Sequence, residues 1–144
     1  MYKRQAEATR EAFKGGWFHS GDLGVVHPDG YVELRDRLKD VIISGGENIA
    51  TIEVEQALAA HASVGEAAVV AAPHERWGEV PVAYVTAGAS EPPDEETLQA
   101  FVRERLARFK VPKRIFVLDE LPKTGTGKIQ KFVLRERARE QRDD

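Results

Sequence analysis

Between Arg35 and Asp40, six consecutive residues carry a single apolar side chain, Leu38, and that interruption limits what the chain can fold into. Apolar residues recur with strand or helix spacing on either side. A segment with one anchor has too little to bury to belong to a core. The composition break predicts two bodies joined by a charged hinge or linker. Ahead of it, residues 1–16 are polar and helix-permissive, with Tyr2 and Phe13 as the large apolar anchors. From Trp17 the pattern changes, and β-branched and aromatic residues flank Pro28-Asp29-Gly30, a turn tripeptide in which Pro presets φ and Gly accepts a positive one. A β-hairpin over 22–35 is expected.

Beyond the linker, Val41-Ile42-Ile43 reads as a short strand and Ser44-Gly45-Gly46-Glu47-Asn48 as a breaker cluster. Ile52, Val54, Ala57 and Leu58 then share a helix that carries Glu53 and Glu55 in its first turns and ends near His61 or Ala62. Residues 66–72 form an apolar strand that stops at Pro73, and residues 80–86 form a second strand. Pro92-Pro93-Asp94-Glu95-Glu96 is a helix start, followed by Leu98, Phe101, Val102 and Leu106 at helical spacing. Residues 115–118 read as a strand and residues 122–127 as a turn-rich loop, with Ile129, Phe132 and Val133 opening a last helix that frays into Arg/Glu-rich sequence. The order from residue 41 is strand, helix, strand, strand, helix, strand, loop, helix. That is an α+β fold, a small mixed or antiparallel sheet flanked by helices and preceded by the hairpin.

At 144 residues the chain holds one ordinary domain with some additions. No apolar run approaches the roughly 18 residues that cross a bilayer, and the first residues lack the apolar stretch of a secretory leader, so neither is expected. With no cysteine, a disulfide framework and thiol chemistry are excluded, and the cytoplasm is the expected location. The net charge of −3 hides an asymmetry: residues 1–102 hold 8 Lys/Arg against 17 Asp/Glu, and residues 103–144 hold 13 against 7. A basic end attracts polyanions, whether nucleic acid, lipid headgroups or nucleotides, and its sign does not choose among them.

The stretch Leu121-Pro122-Lys123-Thr124-Gly125-Thr126-Gly127-Lys128 is rich in groups suited to phosphate, with glycines that free the backbone and lysines that supply charge. It is not a P-loop, because Pro122 stands where the first Gly belongs and Ile129 replaces the hydroxyl residue that would hold magnesium. Alone, the loop is equally that of a solvated helix start with a surface lysine. His19, His27, His61 and His74 show no metal-ligand spacing, so no metal site is expected, and Ser20 and Ser44 lie in no nucleophile elbow.

Four segments in order change the weight of that loop: residues 16–24, GWFHSGDLG; Asp36-Arg37-Leu38-Lys39-Asp40 with residues 43–49 and Ile52-Glu53-Val54-Glu55; Trp77-Gly78-Glu79-Val80-Pro81; and Pro122 to Lys128. Together they resemble the last core motifs of the adenylate-forming superfamily of acyl-CoA synthetases, peptide-synthetase adenylation domains and luciferases. The resemblance runs from about Tyr2 to about Arg137, and several motifs in register are far more specific than any one of them.

The resemblance implies a C-terminal part of an ATP-dependent, AMP-forming acid–thiol ligase, most similar to fatty or aryl acyl-CoA ligases. Residues 1–36 would close a missing N-terminal domain, residues 37–40 would be the hinge, 41–137 the mobile C-terminal domain, and 138–144 a disordered tail. Asp22 resembles the carboxylate that takes the ribose hydroxyls of ATP, and Arg37 the arginine at ribose and phosphate. Lys39 resembles the residue about which the domain turns. Gly45 and Gly46 resemble glycines beside the pantetheine arm of coenzyme A, although a simple turn would need them too. Trp77, Phe109, Lys110 and Lys113 fall near positions that meet the nucleotide end of coenzyme A, with core packing the alternative for both aromatic residues. Lys128 resembles the lysine that bridges the substrate carboxylate and the α-phosphate. The implied partners are ATP with magnesium, coenzyme A, a carboxylic acid and the chain's own N-terminal domain, with no nucleic acid. The rivals are a peptide-synthetase adenylation domain or acyl-AMP ligase, a polyanion-binding module and a non-catalytic interaction domain.

Overall fold

A computed structural model of the chain describes residues 2–90 and 94–141, without the side chains of residues 2–5 and 35. Pro92 and Pro93 of the helix-start signal, and residues 142–144 of the expected tail, lie outside the described residues. The chain divides into two units, Met1–Lys39 and Asp40–Asp144, at the charged stretch that the composition singles out.

The first unit holds helix α1, Tyr2–Ala12, a 3-10 turn at Lys14–Gly16, and an antiparallel hairpin of β1, Asp22–Val26, with β2, Val32–Arg37. The turn forms as the tripeptide predicts: Gly30 takes φ +84° and donates to the His27 carbonyl, while the Asp29 carboxylate accepts from Tyr31 N–H. Two strands provide little area to bury. Val26, Tyr31 and Leu34 are accordingly 70%, 67% and 67% exposed, an apolar surface left in water.

The second unit is built on one sheet. Strand β3, Ile42–Ser44, turns into β4, Glu47–Ile49; β5, Val64–His74, turns into β6, Gly78–Ala87; and β7, Arg114–Leu118, lies parallel to β6. The order is β4-β3-β6-β5. The other edge of β6 is shared, with β3 pairing at Gly78 and β7 pairing along residues 82–86. Alternation in β6 sorts the core into two layers. Ala83 and Val85 pack with Val54 and Leu58 of α2, Thr51–Ala59, and with Leu98 and Val102 of α3, Glu95–Arg103. Val80, Val82 and Tyr84 pack on the opposite face with Leu134 and Ala138 of α4, Lys131–Glu140. The sheet is thus mixed and covered by helices on both faces, the expected α+β class.

Three local expectations are corrected. The breaker cluster at 44–48 contains a strand: Ser44 pairs with Glu47 across Gly45 and Gly46, whose φ values of +57° and +83° are those of a two-residue type I′ hairpin turn. Strand β5 continues through Pro73 because it is an edge strand, where a residue lacking N–H has at most one ladder to interrupt. The tail expected to be disordered from residue 138 is helical to Glu140. Ala138 is buried, and the Tyr84 hydroxyl donates to Gln141 Oε1 at 2.7 Å. No helix among the described residues is long and apolar enough to cross a membrane.

Candidate functional site

The sequence-predicted residues fall into three places. In the first unit, Asp22 and Arg37 are cross-strand partners at the open end of the hairpin. Leu38 N–H donates to the Gly21 carbonyl at 2.7 Å and closes that end, forming a recess of about 510 Å³ lined by Ser20, Gly21, Asp22, Arg37, Leu38 and Lys39. A carboxylate and a guanidinium here face one open space. Neither side chain has a partner among the described residues.

In the second unit, a cleft of about 350 Å³ lies between the β3–β4 turn and the 3-10 turn Arg108–Lys110. It is lined by Ser44, Gly45, Glu47, Trp77, Arg108, Phe109 and Lys113. Several contacts fix Trp77: its backbone N–H donates to His74 Nδ1 at 3.2 Å, its carbonyl accepts from Gly45 N–H at 2.9 Å, and the Arg76 guanidinium lies 4.6 Å from the indole centroid. A Cβ on Gly45 would stand 2.8 Å from Trp77 Cε3, so the glycine is what lets the indole close on the turn. Trp77 and Phe109 remain 39% and 38% exposed, which makes them cleft walls rather than core residues. With Arg108 and Lys113 beside them, the cleft suits a planar ring attached to phosphates.

Of the residues assigned to this place by resemblance, Gly45, Trp77, Phe109 and Lys113 come together. Gly46 supplies the second turn position and does not line the cleft. Lys110 does not line it either, since its ammonium pairs with Glu53 Oε2 at 2.8 Å. Arg108 and Glu47 are cleft residues that no sequence signal had assigned a role. The only hint was adjacency, Arg108 to Phe109 and Glu47 to the glycine pair.

The third place is the Lys128 loop. Lys123 and Ile129 form an isolated antiparallel bridge; inside it Gly127 N–H donates to the Thr124 carbonyl, Thr124 N–H to the Lys128 carbonyl and Lys128 N–H to Thr124 Oγ1. Gly127 at φ +86° completes a tight hairpin tip with a glycine bulge. Its lysines are not equivalent. Lys123 pairs with Glu66 at 2.7 Å and Lys131 with Glu55 at 2.6 Å, whereas the Lys128 ammonium is exposed and has no partner among the described residues. The loop offers one uncommitted cation on a defined backbone.

The basic end as a whole is far less available than its charge suggests. Among the described residues of that end, seven basic side chains, those of Arg105, Lys110, Arg114, Lys123, Lys131, Arg135 and Arg139, are in ion pairs with the chain's own carboxylates.

Residues 53–128 match the AMP-binding enzyme C-terminal domain family, more than half of the 144 residues. The chain belongs to that family. Among curated family relatives, the probable CoA ligase CCL11 of Humulus lupulus is 54% identical over 138 residues, 94% of this chain and 24% of that protein. The peroxisomal acetate/butyrate–CoA ligase AAE7 of Arabidopsis thaliana is 53% identical over 144 residues, with 96% and 25% covered. The crystal structure of ATP-bound MatB from Rhodopseudomonas palustris superposes with a TM-score of 0.86 at 38% identity, covering 93% of this chain and 27% of that one. The chain therefore spans about a quarter of the length of the relatives it matches.

Proposed function

We propose that this chain is the mobile C-terminal part of an AMP-forming acyl-CoA ligase and serves both of its half-reactions. In the first, a carboxylate oxygen of the acid attacks the α-phosphorus of ATP, and the bond to pyrophosphate breaks to leave acyl-AMP. Lys128 acts there as a cation, holding the carboxylate and the α-phosphate together and offsetting the charge that builds between them. In the second, the coenzyme A thiol sulfur attacks the acyl carbon, AMP leaves with the bonding electron pair, and the thiol proton passes to solvent. The cleft between Trp77 and Phe109 would hold the nucleotide end of coenzyme A, with Arg108 and Lys113 at its phosphates. Gly45 would line the passage of the pantetheine arm, and Gly46 would complete the turn that forms it. Asp22 and Arg37 would meet the ribose and phosphate of the adenylate, and Lys39 would carry the change of backbone between the two steps.

The observation that carries this reading is the free Lys128 ammonium between two lysines that are tied down. Magnesium comes with ATP as part of the substrate. Its protein ligands, one or two carboxylates beside the phosphates, are proposed to come mainly from the N-terminal part. That part would also select the acyl group and cover the exposed hairpin surface. The cytoplasm is the proposed compartment. Nucleic acid is not a proposed partner, given how many basic residues are already paired.

The test joins this chain behind the N-terminal domain of a CoA ligase. Lys128→Ala is expected to slow acyl-adenylate formation by about 100-fold or more, the scale of losing one preorganised charge, while thioester formation from supplied acyl-AMP continues. An undiminished adenylation rate would sink the proposal.

A further inference from the structure

Helix α2 carries two carboxylates, Glu53 and Glu55, that the functional assignment leaves without a role. Residues two apart on a helix lie about 200° apart around its axis, so the pair points to different neighbours. Glu53 Oε2 meets Lys110 Nζ at 2.8 Å. Lys110 ends the 3-10 turn whose Arg108 and Phe109 line the cleft. Glu55 Oε1 meets Lys131 Nζ at 2.6 Å and also accepts from Val69 N–H at 3.0 Å, while Lys131 Nζ donates to Thr51 Oγ1 at 2.9 Å. Lys131 opens α4 three residues after Lys128. The Glu55–Lys131 side chains are 20% and 19% exposed, and Thr51 is fully buried, so this anchor is shielded from solvent screening. The helix between the two carboxylates is itself fixed, with Val54 and Leu58 both fully buried.

We infer that Glu53 and Glu55 are positioning residues, one for each half-reaction: Glu55 fixes the base of the Lys128 loop for adenylate formation, and Glu53 fixes the cleft wall for coenzyme A. The inference rests on the function proposed above. One rigid helix thereby holds both working parts by opposite sides. The two settings are separable because each runs through its own ion pair.

The test measures the two half-reactions separately in the joined ligase, with Lys128→Ala as reference, and follows local hydrogen exchange in the isolated chain. Glu55→Gln keeps an acceptor for Val69 N–H and removes the charge. It is expected to slow adenylate formation about tenfold, as a displaced catalytic group does, and to change thioester formation from supplied acyl-AMP by less than about twofold. Glu53→Gln is expected to do the reverse and to raise the KM for coenzyme A. In the isolated chain, exchange should rise in residues 123–130 for Glu55→Gln alone and in residues 107–111 for Glu53→Gln alone. Equal slowing of both steps by either variant, a uniform rise in exchange, or no change where Lys128→Ala does stop adenylation overturns the inference and leaves the proposed function standing. If Lys128→Ala spares adenylation, the proposed function fails and this inference with it.

Discussion

Two adjacent glycines with similar backbones have unequal reasons to be glycine. Gly45 and Gly46 both sit at positive φ, where an L side chain costs on the order of 1–2 kcal/mol. A Cβ added at Gly46 would meet nothing within 4 Å, whereas one added at Gly45 would stand 2.8 Å from the indole of Trp77. Gly46→Ala should therefore lose only the backbone term in a denaturant titration, about 1 kcal/mol. Gly45→Ala should lose more and should shift Trp77 emission as the indole is pushed from its place. Equal losses with unchanged emission would show that the close approach does not govern this turn. A sequence states that glycine is needed at 45 and 46, but not what approaches it, because Trp77 reaches the turn from 32 residues away along the chain. The same limit applies to Lys110: the family resemblance places it near the nucleotide end of coenzyme A, and the carboxylate that claims it, Glu53, lies on another element.

At the scale of elements, legibility followed how local each signal was. The start of α3 was readable because its cap is contained in four residues: the Asp94 carboxylate accepts from Thr97 N–H at 2.7 Å and from the Thr97 hydroxyl at 3.0 Å, and these hydrogen bonds hold its pKa below the usual carboxylate value. Strand β4 was hidden because a glycine pair reads alike as a break or as a hairpin turn, and its partner β3 decides between them. The end of α4 was hidden because Arg/Glu-rich sequence resembles a solvated tail, while its anchor is Tyr84, deep in β6. Tyr84 is buried against Phe116 at 5.3 Å between ring centroids and donates to Gln141, and burial raises its pKa. A phenol with a folded pKa above its unfolded value of about 10 contributes stability that is complete below that value and is lost as pH rises through the raised one. Tyr84→Phe is expected to cost about 1 kcal/mol near neutral pH, the net worth of one hydrogen bond, and to flatten the alkaline side of the stability curve. An identical alkaline slope in the two proteins would mean that the hydroxyl titrates freely.

Over the whole molecule, the two units differ in how much each can hold itself together. Met1–Lys39 has no buried residue among those described, while Asp40–Asp144 has two apolar layers around a sheet. A two-stranded hairpin with exposed Val26, Tyr31 and Leu34 opens at little free-energy cost, and a covered five-stranded sheet opens only with the unit. Trypsin has Arg37 and Lys39, both outside the core, where one unit gives way to the other along the chain. Brief digestion should cut there first and leave a resistant product that begins near Asp40 and keeps Lys128. That product should retain the far-ultraviolet and near-ultraviolet signals of the second unit. Fusion behind a ligase N-terminal domain should slow cleavage within the hairpin, since the proposed role gives its apolar surface a partner. Cleavage spread through residues 40–141 at the same rate would show that the second unit does not stand alone, and its cleft and lysine loop would then depend on the first unit for their geometry.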